Sequence, residues 1–257
     1  MKNIKVDYFK FGQGEETFVI LPGLSVQSVM GFAGLVADAY KVLGDNYTCY
    51  LFDRNKELPE TYSIHEMAED SVSAIKELGL KKVNLFGASQ GGMMAMDIAI
   101  NHPELVSKLV LGSTSAALNS EQFETIDKWI DLAKAGDSEG LYLAFGEKVY
   151  PEAVYEQSKE LLVGAAKTVT DEDMSRFVIL AEGMRGFDLS GDLGSIECPA
   201  LVLGSKDDQV VGAEASQNMA DKLKDCELYM YEGFGHAAYD TAPDYKDRIL
   251  EFLKKER

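Results

Sequence analysis

The sequence has little of several residue types, and each deficit excludes a class of protein. Its 3 cysteines (Cys49, Cys198 and Cys226) are too few and too far apart for a disulfide framework or a CxxC motif. It has only 25 basic residues against 43 acidic ones, and the resulting net charge of −18 disfavours nucleic acids and anionic membranes as partners. No apolar run could span a bilayer, and residues 1–14 lack the apolar segment of a signal peptide. We therefore expect a cytoplasmic globular protein; its oligomeric state stays open.

Short apolar runs alternate with longer amphipathic ones along most of the chain. A helix is predicted from the capping residue Ser63 to Leu78, with Gly79 ending it. Ile4–Phe11 and Thr17–Leu21 are interpreted as an opening hairpin with its turn at 12–14. This alternation predicts an α/β protein with a mostly parallel sheet covered by helices on both faces. The strand-like runs are 4–11, 17–21, 47–52, 83–86, 105–111, 200–203 and 228–231.

One stretch interrupts the alternation. Residues 119–193 contain helical periods and no convincing strand, which predicts a helical cap inserted into a core formed by residues 1–118 and 194–257. The alternative is an enlarged crossover without a role in the site. Several apolar residues of this stretch could contact a substrate or simply pack against the sheet: Leu141, Leu143, Phe145, Met174, Phe177 and Met184.

The segment Gly87-Ala88-Ser89-Gln90-Gly91 fits the pattern G-x-S-x-G. In a chain with 23 glycines the pattern alone is weak, but here it follows a buried strand and opens a helix, as a strained nucleophile turn requires. The alternative is a plain helix-capping serine. The backbone N–H groups of Leu24 and Gln90 are the candidate oxyanion donors, although the Leu24 segment could also be a simple turn after a strand.

A nucleophilic serine needs a base, and the chain has only 3 histidines. His65 is expected to be an exposed surface residue, and His102 to satisfy carbonyls at a helix end. His236 lies in a glycine-rich loop between the last strand and the last helix, so we identify it as the candidate base. A buried structural histidine is the alternative.

A carboxylate should orient His236. Asp207 lies three residues past Gly204, just beyond a predicted buried strand, and is our candidate acid. The adjacent Asp208 is the alternative. The resulting order Ser89…Asp207…His236 is the one expected of α/β-hydrolases and differs from the orders of the common serine proteases.

These residues make the chain resemble an α/β-hydrolase with a helical lid, over nearly its whole length. The resemblance implies an eight-stranded sheet and a two-step acyl-enzyme mechanism that needs no cofactor or metal. Two features depart from the family pattern: Pro22-Gly23 stands where many members have His-Gly, and Asp53-Arg54-Asn55 stands in place of Asp-x-Arg-Gly. The matching stretches are 21–23, 83–92, 103–111, 199–207 and 235–238.

The resemblance predicts hydrolysis of a carboxylic ester or thioester with an apolar acyl group, at a site built from Ser89, His236 and Asp207. Acyl transfer and hydrolysis of a carbon–carbon bond would use the same three residues. A ligand-binding protein that retains the fold without catalysis is the alternative from another class.

Overall fold

The computed structural model describes residues 4–256, so Met1–Asn3, part of the stretch searched for a signal peptide, and Arg257 lie outside the described residues. Within that range the chain forms one seven-stranded sheet of order β1-β3-β2-β4-β5-β6-β7. All neighbouring strands are parallel except β1 and β3. The strands are β1 (Val6–Gly12), β2 (Glu16–Leu21), β3 (Tyr47–Asn55), β4 (Val83–Ala88), β5 (Val106–Gly112), β6 (Ala200–Ser205) and β7 (Cys226–Tyr231).

The predicted α/β class is confirmed, and two details differ. The seven apolar runs correspond to the seven strands, whereas the eighth strand implied by the resemblance is not present in residues 4–256. The opening hairpin is also wrong, because β3 lies between β1 and β2 and pairs with both. The linking segment is held at the start of β3, where the Thr48 hydroxyl donates to the Gly14 carbonyl at 2.6 Å. It therefore passes the start of β3 and does not join β1 and β2 as a hairpin turn.

Helices cover both faces of the sheet. They are α1 (Ala33–Ala39), α2 (Lys41–Gly44), α3 (Ile64–Leu78), α4 (Gln90–Asn101), α5 (Ser120–Lys134), α6 (Ser138–Val149), α7 (Glu152–Ala166), α8 (Asp171–Glu182), α9 (Glu214–Ala220), α10 (Ala238–Thr241) and α11 (Tyr245–Leu253). On one face, α3 and α4 pack with the buried residues of the larger apolar cluster. On the other face, α1, α2 and α11 pack with the smaller cluster.

The stretch 119–193 forms the four helices α5 to α8 and contributes no strand to the sheet. It lies in sequence between β5 and β6, which are hydrogen-bonded neighbours. Its residues Trp129, Ile130 and Phe177 belong to the larger apolar cluster, so the inserted helices share a core with the sheet. Within the described range, no helix combines the length and apolar character needed to cross a membrane.

The predicted ends of α3 are confirmed. The Ser63 hydroxyl accepts from the Glu66 amide at 3.3 Å, and a Glu66 carboxylate oxygen accepts from the Ser63 amide at 2.8 Å, a reciprocal capping box. Gly79 ends the helix in the left-handed conformation with φ 75°.

Replacing Ser63 with alanine should lower the free energy of unfolding by about 1 kcal/mol, because the first turn of α3 loses a capping acceptor. Urea unfolding followed by circular dichroism measures this change. Ser73→Ala is the matched control, since Ser73 is exposed in the interior of the same helix and alanine there favours the helix slightly. Equal stability of the two variants would contradict the capping role.

Candidate active site

Ser89 occupies the sharp turn between β4 and α4. Its backbone has φ 50° and ψ −120°, a conformation that residues with a Cβ rarely adopt. The turn is held from both sides, because the Ser89 amide donates to the Gly112 carbonyl at 2.8 Å and the Thr114 hydroxyl donates to the Ser89 carbonyl at 2.7 Å. The strained turn predicted from the sequence is therefore present, with Ser89 half-buried at the N-terminus of α4.

Glycine is required on both sides of this turn. A Cβ on Gly87 would lie 2.2 Å from the Gly91 carbonyl oxygen, and a Cβ on Gly91 would lie 2.0 Å from the Leu21 carbonyl oxygen. Both distances are far below van der Waals contact. The G-x-S-x-G spacing therefore reflects backbone segments in direct contact, as the sequence predicted.

Ser89, His236 and Asp208 form a continuous hydrogen-bonded series. The Ser89 Oγ lies 2.9 Å from His236 Nε2, and His236 Nδ1 lies 2.8 Å from an Asp208 carboxylate oxygen. His236 and Asp208 are both buried. The second Asp208 oxygen accepts from the amides of Val210 at 2.8 Å and Val211 at 3.0 Å, so the carboxylate is held in a single orientation. A buried carboxylate with three partners can orient the imidazole and stabilise its protonated form.

The prediction that Asp207 orients His236 is wrong, since Asp208 makes that contact. The exposed Asp207 accepts instead from the Ser205 hydroxyl at 2.8 Å and from the amides of Gly233 and Gly235 at 3.0 Å each. Partial burial raises the pKa of Asp207, but these hydrogen bonds outweigh it and the net pKa lies below the usual value. Asp207 thus fastens the loop that carries His236.

The error has a simple origin in strand length. The apolar run predicted that β6 ends at Leu203, but the strand continues through Ser205. Counting three residues from the true strand end leads to Asp208, whereas counting from Gly204 leads to Asp207. Asp208 also binds the backbone amides of Val210 and Val211. Backbone amides are present at every such position, so the sequence carries no signal that distinguishes Asp208 from Asp207.

Two backbone amides beside the Ser89 hydroxyl are free of protein partners. Among residues 4–256, neither the Leu24 amide nor the Gln90 amide donates a hydrogen bond to the protein. Gln90 is the first residue of α4 and follows Ser89 directly. The Leu24 segment lies against the same turn, because a Cβ on Gly23 would be 3.2 Å from the Ser89 Cβ. Unpaired amides at a helix N-terminus are suited to an anionic oxygen.

A narrow, mainly apolar cavity of about 20 Å³ adjoins Ser89 and His236. Of the six apolar candidates from 119–193, Phe145 and Met184 line it, and the rings of Phe145 and Trp129 have centroids 4.6 Å apart. Sequence reasoning missed Trp129, whose helical spacing is equally typical of a core residue. The other lining residues are Leu24, Met93, Leu118, Ile126, Val149, Val210 and Val211.

A second cavity of about 450 Å³ is larger, but its lining contains neither Ser89 nor His236. It lies near Ser115, Ser190 and Met219, beside α9. No histidine lines it, and neither of its serine hydroxyls forms a hydrogen bond with the lining residues Asp221 and Lys222. We therefore assign the chemistry to the smaller cavity.

The two other histidines pair with carboxylates outside the candidate active site. His65 is exposed, as predicted, and its Nδ1 lies 3.0 Å from Asp97. His102 was expected to bind helix-terminal carbonyls, but its Nε2 lies 2.6 Å from Glu69. Ligand atoms of His65, Glu69 and Asp97 lie within 4.8 Å of one another, the one such group in residues 4–256. Asp97 pairs with His65 and Glu69 pairs with His102, and we assign no metal to the group.

The fold agrees with the comparisons to known proteins. A family described as alpha/beta hydrolase fold matches residues 17–243. The chain belongs to that family. RutD of Agrobacterium fabrum, whose name describes a carbamate hydrolase, is 28% identical over 225 residues, which are 83% of this chain and 85% of that protein.

Solved structures of this family superimpose on nearly the whole chain. The alpha/beta hydrolase enzyme MGS-M2 from a Medee basin deep-sea metagenome library has a TM-score of 0.88 at 21% identity, covering 98% of this chain and 95% of its own. The esterase EaEST from Exiguobacterium antarcticum has a TM-score of 0.80 at 23% identity, covering 97% and 96%. These likenesses support the fold, and the predicted assignment to an enzyme of the α/β-hydrolase family, acting on a small molecule, is confirmed.

The ion pair between His65 and Asp97 should make the stability of the fold depend on pH. The hydrogen bond and charge of Asp97 raise the pKa of His65 above its usual value. Protonated His65 therefore stabilises the fold below its unfolded pKa of about 6.5, and this contribution is lost as pH rises through the raised folded pKa. His65→Gln should lower the melting temperature more at about pH 6 than at about pH 9, as measured by differential scanning fluorimetry.

Lys128→Gln provides the control, because Lys128 is exposed on α5 and forms no ion pair with another described residue. The change in melting temperature that it causes should be the same at about pH 6 and at about pH 9. A His65→Gln effect that is equal at both pH values would rule out the ion pair as a stabilising contact.

Proposed function

We propose that the protein is a serine hydrolase that cleaves a carboxylic ester or thioester through an acyl-enzyme intermediate. The observation that carries the proposal is the series of contacts from Ser89 through His236 to Asp208, with distances of 2.9 and 2.8 Å. It supports Ser89 as nucleophile, His236 as general base and Asp208 as the orienting acid. A cytoplasmic location is part of the proposal, in keeping with the three free cysteines.

The proposed reaction has two steps. His236 Nε2 takes the proton of Ser89 as its Oγ attacks the substrate carbonyl, and then gives that proton to the leaving group. Water, activated by the same nitrogen, hydrolyses the acyl-enzyme. The developing oxyanion is received by the amide of Gln90, at the N-terminus of α4, and by the amide of Leu24, in the segment after β2. Each donor contributes about 3 kcal/mol to transition-state stabilisation.

The apolar lining of the cavity favours an apolar acyl group, and its small volume favours a short one. Leu24, Met93, Trp129 and Val211 are among its apolar lining residues. At about 20 Å³ the cavity in this conformation has room for about one water molecule, so an acyl group requires displacement of the lining side chains. A long acyl chain would require displacement of the helices α5 to α8 as well.

A carbamate is the second candidate substrate. It is favoured by the 28% identity to the RutD protein whose name describes a carbamate hydrolase. Attack of Ser89 on a carbamate carbonyl uses the same base and the same oxyanion donors, so the residues of the site accept either substrate class. Ammonia release from a simple carbamate, compared with acid release from short esters, distinguishes the two.

Acyl transfer and carbon–carbon bond hydrolysis remain alternatives that use the same residues. They differ from ester hydrolysis in the acceptor or in the bond cleaved. Product analysis in the presence of a competing alcohol separates transfer from hydrolysis, and turnover of a diketone would indicate cleavage of a carbon–carbon bond.

The purified protein should turn over short p-nitrophenyl esters and should be labelled at Ser89 by a fluorophosphonate probe. Ser89→Ala should abolish the labelling and lower kcat by about 10⁶-fold, because the nucleophile is lost. Mass spectrometry of the labelled peptide identifies the modified residue. Labelling elsewhere, or wild-type turnover equal to that of Ser89→Ala, would refute the proposal.

Asp208→Asn and Asp207→Asn form a matched pair of neighbouring substitutions. Asp208→Asn should lower kcat by about 10⁴-fold, because the imidazole loses the acceptor that sets its tautomer. Asp207→Asn should lower kcat by only about tenfold, since it loosens the His236 loop without touching the imidazole. Steady-state kinetics on one ester measures both effects, and the reverse ranking would restore Asp207 as the acid.

A further inference from the structure

The buried guanidinium of Arg54 lies close to the candidate oxyanion donors and is not needed for the steps described above. Arg54 is at the end of β3, beside β2, and is 3% exposed. Burial lowers the pKa of Arg54 to about 10, so it remains a cation at neutral pH. Its Nε and Nη1 atoms have no hydrogen-bond partner among the described residues. Replacing such a cation with an apolar side chain of similar size is often neutral or stabilising, so its presence here calls for a reason other than stability.

One nitrogen of Arg54 joins the two segments that supply the oxyanion donors. Arg54 Nη2 donates to the Pro22 carbonyl at 2.8 Å and to the Gln90 side-chain carbonyl at 2.9 Å. Pro22 is two residues before Leu24, and Gln90 directly follows Ser89. The guanidinium therefore fixes the distance between the turn at 22–24 and the first residue of α4.

The side chain of Gln90 continues this connection into the inserted helices. Gln90 is fully buried, and its Nε2 donates to the Leu180 carbonyl of α8 at 2.7 Å. Its oxygen accepts from Arg54 at 2.9 Å. Because both ends of the amide are held, the orientation of the first peptide unit of α4 depends on Arg54 and on α8.

A second arginine holds the other end of the same turn. Arg176 of α8 donates to the Ser25 carbonyl at 3.2 Å and to Asp53 at 2.7 Å. Asp53 precedes Arg54 in β3 and also accepts from the Ser28 hydroxyl at 2.5 Å. The Leu24 amide thus lies between two carbonyls, of Pro22 and Ser25, that are each anchored by an arginine.

We propose that Arg54 is a positioning residue for the oxyanion hole, holding the Leu24 and Gln90 amides at the spacing required by the tetrahedral intermediate. The proposal rests on the proposed function and assigns Arg54 no contact with the substrate. Gly23 packs closely on Ser89, since a Cβ on Gly23 would lie 3.2 Å from the Ser89 Cβ, and the Arg54 bond to the Pro22 carbonyl holds the residue before it. Loss of the Arg54 bonds should therefore shift the Leu24 amide relative to Ser89. A displacement of about 1 Å in such a donor lowers the rate by about 10²-fold.

The test is Arg54→Met, which keeps a long side chain but removes the charge and all donors. We expect kcat on a short p-nitrophenyl ester to fall by about 10²-fold with KM changed less than about threefold. The affinity for a trifluoromethyl ketone, whose serine adduct carries an oxyanion, should fall by a similar factor. Arg54→Lys, which keeps one donor, should recover part of both losses.

Arg185→Met is the matched control, because Arg185 is half-exposed and pairs with Asp127 and Glu182, and none of the three lines the cavity beside Ser89. It should leave kcat and the ketone affinity unchanged. Gln90→Met keeps the backbone amide and removes the second acceptor of Arg54. It should lower kcat by about tenfold, and its effect should not add to that of Arg54→Met.

Each result decides between positioning and a structural role. Loss of kcat and ketone affinity together, in a variant with a wild-type melting curve, supports positioning. Unchanged kcat in Arg54→Met, a change confined to KM, or an unfolded Arg54→Met accompanied by a fully active Gln90→Met overturns it. Absence of Ser89-dependent turnover in the wild type would instead refute the proposed function, so the two failures are distinguishable.

Discussion

The strained turn at Ser89 is the constraint on which the candidate site depends. At this turn three backbone segments are in direct contact: the turn itself, the end of β2 at Leu21, and the start of α4 at Gly91. The contact is possible only where side chains are absent, so glycines flank the serine. The unpaired amides of Leu24 and Gln90 belong to the segments that meet at this turn. The proposed oxyanion site is therefore built from the same backbone contacts that hold Ser89.

Polar groups buried around the turn are satisfied to different degrees. Asp208 uses both oxygens, in bonds to His236 and to the amides of Val210 and Val211. In Arg54, by contrast, Nε and Nη1 have no hydrogen-bond partner among the described residues, and Nη2 alone donates to both Pro22 and Gln90. A carboxylate holds an imidazole in one orientation when all of its own hydrogen bonds are formed. The partial satisfaction of Arg54 is in keeping with the positioning role proposed for it.

The inserted helices contribute to the site in two physically distinct ways. Trp129 of α5, Phe145 of α6 and Met184, which follows α8, form an apolar wall of the cavity beside Ser89. Arg176 and the Leu180 carbonyl form hydrogen bonds with the turn at 22–25 and with Gln90. The same segment therefore contacts both the cavity and the backbone around Ser89, although it supplies none of the residues Ser89, His236 and Asp208.

The sequence by itself determined the α/β class, the seven strands, the ends of α3, and the residues Ser89 and His236. Local signals sufficed for these, because apolar periodicity, capping residues and glycine spacing act over a few neighbours. Only the tertiary structure decided that β3 separates β1 from β2, that Asp208 and not Asp207 meets His236, and that Arg54 contacts Pro22 and Gln90. The first depends on the order of the strands, and the second on β6 being two residues longer than its apolar run. The third depends on contacts between residues more than 25 positions apart. A local sequence pattern encodes none of these.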